Sequence, residues 1–184
     1  MARILLGVSA GIAIYKAVDL ASTLTQRGHQ VFTLMTPNSR KFITPLTFRA
    51  VTRQPVFTDT FDDDPESRPE HISLSEWGDI MLLAPATADL IGRIAGGLGD
   101  DIITTTLLAW QRPVVLAPAM NDRMWAHPIV RANLEKLRGL GYAVVEPEEG
   151  HLACGSYGVG RLAEPVRILA AVDAAIAAGP GREA

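Results

Sequence analysis

The sequence predicts an α/β protein in one domain, a three-layer arrangement with a doubly wound parallel sheet at its centre. Three observations point there. Short apolar runs recur at residues 4–8, 30–35, 79–84, 113–117 and 142–145, as expected of strands buried on both faces. Stretches with helical spacing separate them, and such alternation is the mark of parallel strands joined by crossover helices. With 184 residues, 48% of them hydrophobic, the chain can bury roughly 70% of its unfolded surface in one core. Residues 1–178 read as the domain and 179–184 as a flexible tail.

In chain order, the run 4–8 ends in Ser9, Ala10 and Gly11, after which Ile12, Tyr15, Val18, Leu20 and Leu24 recur up to Gly28. This predicts strand, turn and helix. The run 30–35 is the second strand. Between Phe48 and Ser73 the rhythm breaks at Pro55, Pro65 and Pro69 and at the acidic Asp62, Asp63, Asp64 and Glu66. A surface excursion is expected there, with one short strand at Val56; the acid run lacks calcium-loop spacing and reads as solvated. Strands at 79–84, 113–117 and 142–145 then alternate with helices at 88–95, 102–110, 128–137 and 165–177.

The charge balance, 17 Lys plus Arg against 20 Asp plus Glu for a net -3, leaves no electrostatic footprint for nucleic acid or an anionic membrane. Small-molecule partners are expected instead. The opening apolar run is interrupted by Lys16 and Asp19, so it reads as neither signal peptide nor membrane span. Cys154 is the only cysteine; without a disulfide framework, a reducing, cytoplasmic compartment is expected.

Ligands in such sheets collect beyond the carboxyl ends of the strands, which directs attention to the turns. The first, Gly7-Val8-Ser9-Ala10-Gly11-Ile12, fits either a tight turn or an anion site at a helix N-terminus; neither G-x-G-x-x-G nor a Walker sequence is present. The second strand ends in Met35 and Thr36 without the acid that reads an adenosine ribose, which suits FMN better than NAD. The third runs into Pro85-Ala86-Thr87-Ala88-Asp89-Leu90, where Thr87 or Asp89 is available as a helix cap. The fourth leads to Pro118-Ala119-Met120-Asn121-Asp122-Arg123-Met124-Trp125; packing accounts for Met and Trp but not for Asn121. The fifth precedes a glycine-rich stretch from Gly150 to Gly160 around Cys154, which reads as a mobile lid. Its thiol is either an inert buried group or a proton donor or nucleophile. His71, in His71-Ile72-Ser73-Leu74-Ser75-Glu76-Trp77, is either structural or an acid/base group. His151 and Cys154 lack the further close ligands a metal needs, so no metal is expected.

These segments resemble the homo-oligomeric flavin-containing cysteine decarboxylases from about Arg3 to Pro165. The resemblance rests on Gly7-Val8-Ser9-Ala10-Gly11-Ile12-Ala13, on His71-Ile72-Ser73-Leu74 with Trp77, on an intact P-x-M-N-x-x-M-W motif from Pro118 to Trp125, and on Ala153-Cys154-Gly155. It implies a Rossmann/flavodoxin-like fold and FMN held by Ser9, Ala10 and Gly11, by Thr36 and Ser39, by Thr87, Ala88, Asp89 and Leu90, and by Ala119. It also implies His71 and Cys154 as catalytic residues and Asn121 and Ala153 as substrate-binding ones. Where similar proteins read P-A-S-A-N-T, this chain has Asp89 for Asn and Leu90 for Thr. An anionic Asp89 beside the flavin is unfavourable, so contacts there are expected through backbone and Thr87.

The implied activity is conversion of 4'-phosphopantothenoylcysteine to 4'-phosphopantetheine in coenzyme A biosynthesis. Direct loss of CO2 would leave an unstabilised carbanion, whereas oxidising the thiol to a thioaldehyde creates an electron sink. The resulting enethiol is then re-reduced, with Cys154 giving the final proton, Asn121 orienting the carboxylate and His71 serving the early acid/base steps. Similar proteins are trimers, or dodecamers of trimers, with FMN at a subunit interface. Many are fused to the synthetase that makes their substrate, for which 184 residues are too few; a separate synthetase is the other arrangement. A peptidyl-cysteine decarboxylase stopping at the enethiol has no use for the Cys154 motif. A non-catalytic FMN-binding regulatory subunit would carry long acidic appendages that are missing here. A flavin prenyltransferase would lack the His71 and Pro118-to-Trp125 motifs.

Overall fold

A computed structural model of the chain describes residues 1–61 and 70–179. The acidic run Asp62, Asp63, Asp64 and Glu66 and the tail residues 180–184 lie outside the described residues. The elements are β1 Arg3–Val8, α1 Ile14–Gln26, β2 Gln30–Met35, α2 Pro45–Thr52, β3 Val56–Phe57, α3 Glu70–Trp77, β4 Ile80–Ala86, α4 Ala88–Gly96 and α5 Ile102–Leu108. They continue with β5 Val114–Pro118, α6 Asp122–Ala126, α7 Pro128–Gly139, β6 Ala143–Val144, β7 Glu148–His151, β8 Tyr157–Arg161 and α8 Pro165–Ala178.

Among the described residues, β1 to β6 pair in parallel in the order β3-β2-β1-β4-β5-β6. The order reverses between β1 and β4, and in doubly wound sheets the crevice at that reversal is where ligands sit. Strand alternation divides the core. Ile4, Leu6 and Val8 pack with Ile14, Leu20 and Leu24 of α1 and Ile168 and Val172 of α8. Leu5, Met81 and Leu83 face Leu90 and Ile91 of α4, Ile103 of α5 and Leu134 of α7. Each such side chain contributes about 1.5–3 kcal/mol by leaving water, so the strand ends that frame the crevice are held from both sides.

The alternating strands and helices expected from the sequence are present, with four differences, the first being that residues 122–126, read as part of the turn after the fourth strand, form the short helix α6. Residues 45–52 form α2, which begins with Pro45 at its first turn and buries Phe48 and Thr52. Residues 70–77 form α3, in which only Leu74 is buried; without an apolar stripe its periodicity is invisible in the sequence. The short strand at Val56 is present as β3, so the expected surface excursion is in part regular structure. The stretch read as a lid is an antiparallel hairpin, β7 paired with β8 from Glu148 opposite Arg161 to His151 opposite Tyr157. Its glycines hide the alternation that marks a strand.

Candidate active site

Beyond the carboxyl ends of β1, β2, β4 and β5 lies a cavity of about 970 Å³, at the upper end of the roughly 300–1,000 Å³ usual for small-molecule sites. Its walls include Ala10 and Gly11 after β1, Thr36 after β2, Thr87, Ala88 and Asp89 at the start of α4, Ala119 and Asn121 after β5, and Ala153 and Cys154 at the hairpin tip. The turns singled out in the sequence therefore meet in one place.

Four predicted residues do not line it: Ser9, Ser39, Leu90 and His71. Ser9 is buried beneath the floor, where its Oγ donates to the Pro85 carbonyl at 2.6 Å and accepts from the Thr87 amide at 3.0 Å. It thereby ties the turn after β1 to the turn after β4. Ser39, also buried, donates to the Thr36 carbonyl at 2.7 Å and shapes the turn after β2. Leu90 is core, and its amide donates to Thr87 Oγ1, the N-cap of α4. Thr87 thus fills the capping role its residue type favours while still facing the cavity.

At the start of α1 there is no capping side chain, and among the described residues the amides of Gly11 and Ile12 donate to no other backbone group. A Cβ on Gly11 would sit 3.5 Å from Thr87, so the turns after β1 and β4 are within van der Waals reach of each other. Across from them, Thr36 Oγ1 is buried without a hydrogen-bond partner. Open amides at a helix start, reinforced by the helix dipole, favour an anion.

Asp89 faces Arg93 at 3.0 Å in i,i+4 spacing, and Arg93 also binds Asp100. Both carboxylates hold the Arg93 guanidinium above its ordinary pKa. The Asp that replaces Asn is therefore neutralised by its own helix, and it lies in the first turn of α4, where negative charge is favoured. Arg93, which lines the cavity, was missed in the sequence; its spacing from Asp89 was the available signal.

Asn121 is the N-cap of α6: its Oδ1 accepts from the Arg123 amide at 2.9 Å. That bond turns Nδ2 toward the hairpin, where it donates to Cys154 Sγ at 3.1 Å. The thiol is exposed and free, and hydrogen bonds from Ser156, through side chain and backbone, and from Asn121 hold it below the ordinary thiol pKa. The hairpin is seated by glycines. Gly160 accepts from the Met120 amide at 2.9 Å, and a Cβ there would meet the Met120 carbonyl oxygen at 2.2 Å. His71 stands apart, in the first turn of α3, with Nδ1 buried and unpartnered among the described residues. No group of three or more His, Cys, Asp or Glu among them is placed to hold a metal.

The sequence matches a family model described as Flavoprotein over residues 1–177. The chain belongs to the flavoprotein family. Among similar flavoproteins, the coenzyme A biosynthesis bifunctional protein CoaBC of Bacillus subtilis is 45% identical over 197 aligned residues, spanning 99% of this chain and 48% of the relative. The chain thus spans about half the length of the curated relatives it matches. A solved cysteine-to-serine mutant of PPC decarboxylase, complexed with pantothenoylaminoethenethiol, superposes with a TM-score of 0.85 at 31% identity, covering 94% of this chain and 97% of the other. The FMN binding protein AtHal3 gives 0.81 at 32% identity, covering 94% and 95%.

Proposed function

We propose that this flavoprotein is an FMN-dependent decarboxylase that converts 4'-phosphopantothenoylcysteine to 4'-phosphopantetheine in coenzyme A biosynthesis. The observation that carries the reading is the Asn121–Cys154 contact at 3.1 Å: an amide suited to orienting a carboxylate and a thiol held below its ordinary pKa line the same cavity as the open amides at the start of α1. The relatives support it, since CoaBC is a coenzyme A biosynthesis protein and the neighbouring structure is a PPC decarboxylase.

The residues present fit FMN. The open amides of Gly11 and Ile12 suit its phosphate, the unpartnered Thr36 hydroxyl suits a polar group of the ligand, and Ala10, Ala88 and Ala119 leave flat apolar wall for the ring. Ser9 and Ser39 serve the cofactor indirectly, by holding those turns. Bound FMN supplies reversible two-electron chemistry that makes the carbon bearing the thiol an electron sink for decarboxylation.

The chain's own groups handle position and protons. With Oδ1 tied to the α6 cap and one N–H of Nδ2 on sulfur, the second N–H of Asn121 is free for the substrate carboxylate. Ala153, next to Cys154 at the hairpin tip, lines the same cavity and is available to the substrate. Cys154, at the hairpin tip, gives its Sγ proton to carbon as the enethiol is reduced. His71 serves the first acid/base step from a neighbouring copy, because within one chain it lies off the cavity. A homo-oligomer, a trimer or a dodecamer of trimers, completes each site. The enzyme acts in the cytoplasm, where its thiol substrate stays reduced, beside a fused or separate phosphopantothenoylcysteine synthetase.

The test is incubation of the purified yellow protein with 4'-phosphopantothenoylcysteine followed by mass analysis. The expected product is lighter than substrate by one CO2. Cys154→Ser should stop at a product lighter by a further two hydrogens, and His71→Asn should leave substrate unchanged. A colourless protein that refuses FMN, or complete turnover by Cys154→Ser, overturns the corresponding part of the proposal.

A further inference from the structure

Cys154 does not meet Asn121 alone. Its Sγ lies 3.1 Å from Ser156 Oγ, and Ser156 Oγ donates to Asp122 Oδ1, also at 3.1 Å. A chain of contacts thus runs from the first turn of α6 through the hairpin tip to the thiol. Its geometry is set by backbone on both sides. The tip is a tight turn in which the Gly155 amide donates to the Leu152 carbonyl and the Leu152 amide to the Ser156 carbonyl, both at 2.9 Å. Gly155 takes a φ of 87°, which a side chain would disfavour. Asp122 is seated against β8, where a Cβ on Gly158 would come within 2.9 Å of the Asp122 Cβ.

We infer that Ser156, held in place by Asp122, is a positioning residue that prepares the Cys154 thiol to give up its proton. Ser156 has one hydroxyl proton and two acceptors in reach, the Asp122 carboxylate and the sulfur. While Cys154 is protonated, the hydroxyl rests on Asp122 and its lone pair accepts from the thiol. Once the Sγ–H bond breaks and the proton moves to carbon, the same hydroxyl turns to the thiolate, which then has donors from Ser156 and Asn121. Solvent returns the proton after the product leaves. The acidified thiol agrees with this, with the Ser156 hydroxyl the first cause of its lowered pKa. Neither Ser156 nor Asp122 carries a motif of its own; each was visible in the sequence only as a neighbour of Cys154 or Asn121.

The inference rests on Cys154 as proton donor, and two measurements separate it from that reading. In the FMN-loaded protein, the pH profile of Cys154 alkylation by iodoacetamide reads the thiol itself. Ser156→Ala should move that profile to higher pH, slowing alkylation at neutral pH roughly five- to tenfold, the worth of one ordinary hydrogen bond. Ser156→Thr, which keeps the hydroxyl, should restore it. The other charged or titratable groups around the thiol, His151, which packs edge-on to Tyr157, and Arg161 on the hairpin and Asp122 on α6, are common to all three proteins, so their influence cancels. With 4'-phosphopantothenoylcysteine, Ser156→Ala should release CO2 normally while the enethiol fraction rises. An unshifted alkylation profile, or failure of Thr to restore it, overturns the role of Ser156. A shifted profile with complete turnover by Cys154→Ser supports Ser156 as the thiol's partner and overturns the proton-donor reading instead.

Discussion

The floor of the cavity, where β1 and β4 end, is buried and cross-tied by Ser9 and by backbone bonds. The hairpin facing it stands outside the parallel sheet and is seated by a few polar side chains and close-packed glycines. The floor belongs to a core packed from both faces, so its turns are formed before any ligand arrives. Among the described residues, the two hairpin strands pair only with each other, and an isolated two-stranded ribbon is marginal in water. Its position depends on close backbone contact with residues 120–122. A cofactor that stays bound through a reaction suits the first construction, and a substrate that must enter and leave suits the second.

The sharpest way to break this division is at Gly160. A methyl group there meets the Met120 carbonyl oxygen at 2.2 Å, a contact with backbone that no side-chain rotation relieves. Gly160→Ala should displace the hairpin tip, and misplacing a reacting group by about 1 Å costs on the order of 100-fold in rate. Phosphopantetheine formation should fall by about that factor. FMN content, read by absorbance, should stay near wild type, because the floor is untouched. Loss of the flavin together with activity would show that the two regions are not separable.

Ser9→Ala probes the other side and should be milder. It leaves the Pro85 carbonyl and the Thr87 amide without the hydroxyl that joins them, a loss of about 1–3 kcal/mol for buried polar groups. For a chain of this size that lowers Tm by roughly 2–4 °C per kcal/mol. FMN affinity should weaken with it as the two turns drift apart. If affinity fell with Tm unchanged, Ser9 would be a direct cofactor contact, as the family resemblance implied, and not a tie beneath the floor.

Sequence reasoning succeeded where the physics is local or periodic. The apolar runs marked five of the six strands of the parallel sheet, Gly28 and Pro165 marked helix ends, and the turns after the strands supplied most of the cavity wall. It missed α3 because EHISLSEW buries a single leucine and shows no stripe. It took the hairpin for a loose lid because glycine is a poor strand former and these glycines serve close approach to Met120 and Asp122. The indirect role of Ser9 was equally hidden, since its partners, Pro85 and Thr87, are distant in sequence. Asn121 illustrates a residue whose two ends differ: the cap made by Oδ1 is a local pattern, while the contact of Nδ2 with Cys154 depends on how the hairpin folds back.

The smallest effect is expected at Asp89, where this chain departs from the motif of similar proteins. Its carboxylate is largely exposed and shares Arg93 with Asp100. An exposed i,i+4 ion pair is worth about 0.3–0.5 kcal/mol, and a negative charge in the first turn of a helix about 0.3–1 kcal/mol. Asp89→Asn should therefore cost no more than about 1.5 kcal/mol of stability, measured by chemical denaturation. Arg93 keeps Asp100 as a partner, so the local geometry should survive. Removing one negative charge from the rim should leave FMN affinity equal or slightly tighter. A weakening of tenfold or more, by flavin fluorescence titration, would mean that Asp89 itself holds the cofactor; the rigid floor would then include a charged contact on its exposed edge, and the contrast with the hairpin would narrow.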